Sequence, residues 1–227
     1  MRRVLVLAAV ASCVAVVWAP PGGAAGECRG ILVCISVPGP WVVVPAGGAT
    51  DYLLACPRRR GVVGGLDALS TSRAVRVSFD GLLGAPVAPG TTTARDAFFH
   101  GVTVGQERAA FQPYLGCIPA GGGGGRSTTS ATVTRPGVPL DRIAVDVKLS
   151  SGVARTVRKG CPTGERLIGS WQALAFRTTK PPNLALAPFV SVVRSTRNGR
   201  VVAKIDTSDG LPNEARAEVQ VGIVCAR

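Results

Sequence analysis

The dipeptide Cys56-Pro57 recurs as Cys161-Pro162, 105 residues further on, and this recurrence constrains the fold more than any other feature of the chain. At the same spacing Val62-Val63-Gly64 answers to Leu167-Ile168-Gly169, and Ala68 to Ala173. An apolar, β-prone stretch precedes each Cys-Pro, Trp41 to Ala55 and Ile143 to Val157. Each half then closes on a strand-like run that carries a cysteine, Phe111 to Cys117 and Val219 to Cys225. Two copies of one folding unit are the economical explanation.

The cysteines themselves point to an oxidising compartment. Met1-Arg2-Arg3, an apolar run from Val4 to Trp18 and small residues up to Ala25 read as an export signal over residues 1–25. Val10-Ala11-Ser12-Cys13 also has the look of a lipobox, which would anchor the chain at Cys13; the apolar run continuing through Trp18 argues against it. That run is shorter than the roughly 20 residues needed to span a bilayer, so no transmembrane segment is expected once the signal is removed. Six cysteines then remain: Cys28, Cys34, Cys56, Cys117, Cys161 and Cys225. An even number in an exported chain predicts disulfides. The repeat favours Cys56–Cys117 and Cys161–Cys225, which leaves Cys28–Cys34 as a small loop. Metal chemistry has little support, since there is no Cys-x-x-Cys pair and His100 is the sole histidine. No metal and no cofactor is expected.

Residues 26–118 and 138–227 form the two predicted repeats, joined by a Gly/Ser/Thr-rich linker over 119–137 that contains five consecutive glycines, Gly121 to Gly125. Ala74 to Phe79, Ile143 to Leu149 and Glu218 to Ile223 alternate apolar and polar residues, which places one face of each strand in a core and the other in water. Asn198-Gly199 between two apolar runs predicts a hairpin. With 29 Gly and 17 Pro, the chain is punctuated too often for long helices. The expected fold is all-β: two tandem disulfide-bonded β-sandwich domains, immunoglobulin-like or jelly-roll-like.

The pattern Cys56-Pro57, Val62-Val63-Gly64-Gly65 and Cys117 resembles a loosely defined group of secreted bacterial proteins. In that group a Cys-Pro-x-Gly turn leads into a Val/Leu-Gly-Gly strand, and a later strand ends in a second cysteine. The second half resembles it through Cys161-Pro162-Thr163-Gly164, Leu167-Ile168-Gly169 and Val224-Cys225-Ala226. Arg58-Arg59-Arg60 replaces the early glycine in the first half, and Ser170 replaces the last glycine in the second. Gly39 to Pro45 is similar to an opening strand of the group. The resemblance implies export and a β-rich fold, and it brings no functional residues with it.

Candidate chemistry is sparse. A catalytic triad would have to use His100, yet no Gly-x-Ser-x-Gly elbow offers a nucleophile. A carboxylate pair of the glycosidase type would come from Asp51, Asp67, Asp80, Asp96, Asp141, Asp146, Glu165, Asp206 or Asp209, and their spacing singles out none. Catalytic residues are therefore assigned to none of these positions, and a secreted hydrolase is the alternative reading. Trp41 and Trp171 lie within apolar stretches and read as core residues rather than a sugar platform. No nucleic-acid module appears.

Charge is the clearer signal. The formal net charge is +13, and residues 138–227 hold 14 of the 26 basic residues against seven acids. Arg58, Arg59 and Arg60, with Arg155, Arg158 and Lys159, are the candidate anion-binding residues. The expected function is a non-enzymatic extracellular structural or binding protein, partnered by an anionic cell-wall polymer or another extracellular protein.

Overall fold

The computed structural model describes residues 35–57, 62–80, 95–118 and 140–227. The leader with Cys13, the Cys28–Cys34 pair, Arg58 to Arg60 and the segment 119–137 lie outside the described residues. The first half contributes β1 (Ile35–Pro38), β2 (Trp41–Val44), β3 (Ala49–Ala55), β4 (Val62–Ser70), β5 (Val75–Asp80), β6 (Asp96–Thr103) and β7 (Ala109–Ile118). The second contributes β8 (Leu140–Lys148), β9 (Ala154–Gly160), β10 (Arg166–Phe176), β11 (Val190–Arg197), β12 (Arg200–Thr207) and β13 (Ala217–Ala226), with 3-10 turns over Leu184–Phe189 and Asn213–Ala215. The fold is all-β.

One antiparallel sheet runs through both halves in the order β4, β7, β1 with β2, β10, β13, β8. Two three-stranded sheets, β3-β6-β5 and β9-β12-β11, flank it. Strands β1 and β2 lie end to end along one edge of β7, separated by Pro38-Gly39-Pro40. Two residues without side-chain-independent freedom at φ and without an N–H interrupt the ladder there. Between them Gly39 donates its N–H to the Pro113 carbonyl at 2.7 Å, and a Cβ at Gly39 would lie 2.7 Å from Pro113 Cγ. Opposite β13, the corresponding strand β8 is unbroken.

Both halves pair their strands alike, with a correction to the register read from the sequence. Val63 lies opposite Cys117 and Leu167 opposite Cys225, and each is followed by a one-residue irregularity before Gly65 and Gly169. Val63 therefore corresponds to Leu167, where the sequence spacing matched it to Ile168. The segment from cysteine to strand is one residue shorter in the second half. A slip of one residue exchanges the faces of a strand, so Asp67 corresponds to Trp171 and not to Gln172.

Cys56 is bonded to Cys117 and Cys161 to Cys225, with Cα separations of 5.8 and 5.7 Å. Cys56 follows β3 and Cys161 follows β9, while their partners lie in β7 and β13. Each bond thus staples a flanking sheet to the central one. Tyr52, Leu54 and Phe99 pack on Val42, Val44, Phe111 and Leu115 in the first core. Val201, Ala203 and Ile205 pack on Val219, Val221 and Ile223 in the second. Strand β10 belongs to both: Ala173 and Ala175 join the first core, and Leu174 packs against the second. Neighbouring residues in a strand point to opposite faces, so the flanking sheets lie on opposite sides of the central sheet.

This arrangement overturns one expectation. The polar face of β13 does not meet water: Glu218 is 3% exposed and Gln220 1%. The seam between the halves covers it. Val42 pairs with Ala175 and Trp41 with Phe176, and the free edge of β3 lies over Gln220. The Gln220 carbonyl oxygen accepts from the Leu53 N–H at 2.7 Å and from Trp171 Nε1 at 3.0 Å. Its amide nitrogen donates to the Leu53 carbonyl and to Asp146 Oδ1, both at 2.9 Å. All four hydrogen-bonding positions of the side chain are filled, which also fixes which atom is oxygen. Glu218 beside it accepts two bonds from Arg177, at 3.0 and 2.9 Å, and one from the Tyr52 hydroxyl at 3.3 Å.

Burial raises the Asp146 carboxyl above its usual value, and the charge of Glu218 adds to the rise, while the Gln220 hydrogen bond and Arg177 oppose it. A carboxyl whose folded pKa lies above the unfolded one costs stability as the pH rises through that interval. Asp146→Asn keeps an acceptor for Gln220 and removes the charge. The variant is expected to melt at or above the parent temperature near neutral pH, and the two melting curves should converge below about pH 4. A parent that gains stability on moving from acid to neutral pH relative to the variant would contradict this.

Candidate functional site

The hairpin predicted at Asn198-Gly199 joins β11 to β12, with positive φ at both residues, 50° and 68°. Because Val201, Ala203 and Ile205 turn into the core, the alternate residues Arg200, Val202, Lys204 and Asp206 point outward. Register completes that outer face. Arg197 lies opposite Arg200, Arg158 and Ser195 flank Val202, and Thr156 and Val193 flank Lys204. Arg158, Arg197, Arg200 and Lys204 are all exposed, around a Val193 that is 61% exposed. None of the four makes an ion pair with a described residue. Asp206 is the acid on this face, at the end remote from the hairpin turn.

The structure rearranges the basic group expected around β9. Arg158 belongs to the outer face, but Arg155 lies opposite Ile205 and Lys159 opposite Val201, on the core-facing side of this edge strand beside Val157. The three are therefore not one cluster. Arg197, Arg200 and Lys204 replace the missing two. They escaped notice because they are scattered along the chain and meet only across strands. The Asn-Gly turn held the clue, since folding the hairpin about it sets Arg197 against Arg200.

Among the hydrolase candidates, Asp51 and His100 are cross-strand partners in β3 and β6, and His100 Nδ1 lies 2.6 Å from Asp51 Oδ1. Ser78 on β5 is in register with His100 on its other side, yet it makes no hydrogen bond to it. Arg194 of β11 is also within electrostatic reach of Asp51; burial lowers its pKa and Asp51 partly restores it. Four of the other candidate carboxylates are engaged with protein groups. Asp67 accepts from the Ala68 N–H, Asp80 from Arg142 at 2.8 Å, and Asp146 from Gln220, while Glu165 lies 3.8 Å from Arg227. Among the described residues no group of three His, Cys, Asp or Glu is placed to hold a metal ion.

Trp41 and Trp171 are each 4% exposed. Trp171 stacks edge-on against Phe98 at 4.9 Å, and its ring fills the space that a Cβ at Gly222 would occupy. Neither indole offers a surface for a sugar. No helix among the described residues is long and apolar enough to cross a membrane. Comparison with family models, with curated proteins and with solved structures gives no match for this chain.

Proposed function

We propose that this is a non-enzymatic extracellular binding protein whose outer β9-β12-β11 face associates with anionic cell-envelope polymers. The observation that carries this reading is the grouping of Arg158, Arg197, Arg200 and Lys204 on one solvent-facing sheet without ion-pair partners among the described residues. Unneutralised cations on one face sum their fields and attract polyanions. Guanidinium groups add a planar fork that suits phosphate and carboxylate. The two disulfides fit an oxidising compartment, and the resemblance to secreted bacterial β-repeat proteins supports export of a duplicated unit. The Asp51–His100 pair is read as a cross-strand hydrogen bond at the surface.

Retention on purified cell wall tests the proposal. The parent should be held at low ionic strength and released as salt is added, because exposed charges are screened over roughly 10 Å at 0.1 M salt. A variant with Arg158, Arg197, Arg200 and Lys204 all changed to Gln should lose most of that retention while melting at a similar temperature. Retention that ignores salt, or that survives the fourfold change, would remove the reading.

A further inference from the structure

A second feature is independent of the basic sheet face. A cavity of ≈ 620 Å³ opens at the seam between the halves, where Gly39 approaches Arg177, Thr178 and Thr179 on one side and Glu214 and Arg216 on the other. Arg216 has left-handed backbone geometry, φ 47 and ψ 46, directly after the 3-10 turn Asn213–Ala215. Glycine adopts this conformation freely, and residues with a Cβ resist it. Among the described residues the other non-glycine position with positive φ, Asn198, is accounted for by its hairpin turn. Arg216 is the C-cap of that 3-10 turn, its N–H donating to the Asn213 carbonyl at 3.2 Å.

The Arg216 carbonyl accepts the Arg177 N–H at 3.1 Å, which locks the two arginines side by side. The Arg177 guanidinium is held by the buried Glu218 through Nε and Nη2, so its position is fixed while its remaining N–H groups are left for another acceptor. The Arg216 guanidinium has no ion-pair partner among the described residues. An unpaired guanidinium and a second, anchored one with donors to spare therefore line the same cavity, an arrangement that suits a planar anion.

We infer that this cavity binds the carboxylate group of a ligand, with Arg216 and the free edge of Arg177 as donors and the Thr179 hydroxyl alongside. Glu214 on the rim adds a negative charge that opposes a phosphate dianion more than a carboxylate monoanion. The site needs nothing from Arg158, Arg197, Arg200 or Lys204, and so stands apart from the polymer-binding face.

Titration of the full chain with acetate, and separately with inorganic phosphate at matched ionic strength, tests the inference by amide chemical shifts. Acetate is expected to give saturable shifts at Thr178, Thr179 and Arg216, with phosphate at least threefold weaker. Arg216→Gly should weaken acetate binding at least tenfold while its Tm equals or exceeds that of the parent, because glycine relieves the strained backbone. The fourfold Gln variant of the sheet face should bind acetate as the parent does. Absence of saturable shifts, tighter binding of phosphate, unchanged acetate affinity in Arg216→Gly or a lower Tm for that variant would each overturn the assignment.

Discussion

Gln220→Leu is expected to lower unfolding stability by about 2 kcal/mol, although leucine matches the volume of glutamine and the position is buried. The reason lies in what the amide satisfies. Without it, the Leu53 N–H, the Leu53 carbonyl, the Trp171 indole N–H and Asp146 Oδ1 lose the partner described here. A buried polar group left unpaired costs roughly 1–3 kcal/mol, and this applies in full to the Trp171 indole N–H; Leu53 is half-buried and Asp146 exposed, so water makes up part of their loss. Domains of this kind have a total stability of roughly 5–15 kcal/mol, and the variant should lose a sizeable part of it. Urea unfolding followed by tryptophan fluorescence would report both the loss and the altered surroundings of Trp171. A change of under about 1 kcal/mol would mean that water replaces the amide and that the seam is open to solvent.

Removing the second disulfide should cost more, by another route. Cys161 and Cys225 are 64 positions apart in sequence. In the chain-entropy model a closure of that length stabilises the folded state by about 4 kcal/mol, through restriction of the unfolded chain. Changing both cysteines to alanine avoids a stray thiol and tests the pair cleanly. The distinguishing sign is the denaturant slope. An unfolded chain freed of its cross-link exposes more surface, so the m-value should rise in the double variant, whereas Gln220→Leu should leave it unchanged. A double variant with parental midpoint and slope would show that the Cys161–Cys225 bond contributes no stability.

Much of this architecture was legible in the residues. The recurrence of Cys-Pro and the closing cysteines led to the two bonds, and Asn198-Gly199 located its hairpin, because both signals are local or covalent. What the chain did not reveal came from contacts between distant segments. Glu218 and Gln220 alternate with valines as they would in a strand with one wet face, yet β13 lies mid-sheet beneath the edge of β3 and is buried on both sides. No periodicity within β13 can report what covers it from 167 residues away. The spacing of the repeat likewise missed a one-residue shortening after Cys161, since a register shift leaves composition unchanged. The basic face went partly unseen for a related reason. Arg155, Arg158 and Lys159 are close in sequence but divided between faces, and Arg158, Arg197, Arg200 and Lys204 are distant in sequence but gathered on one.

Both cross-links lie inside a half, and neither spans the boundary between β2 and β10. That boundary is carried by two paired backbone positions, by Ala173 and Ala175 of β10 packed into the first core, by Phe98 against Trp171, and by a knot of polar side chains. Reducing both bonds would therefore leave every contact across that boundary in place: each half would lose its own staple, and the seam would keep its packing.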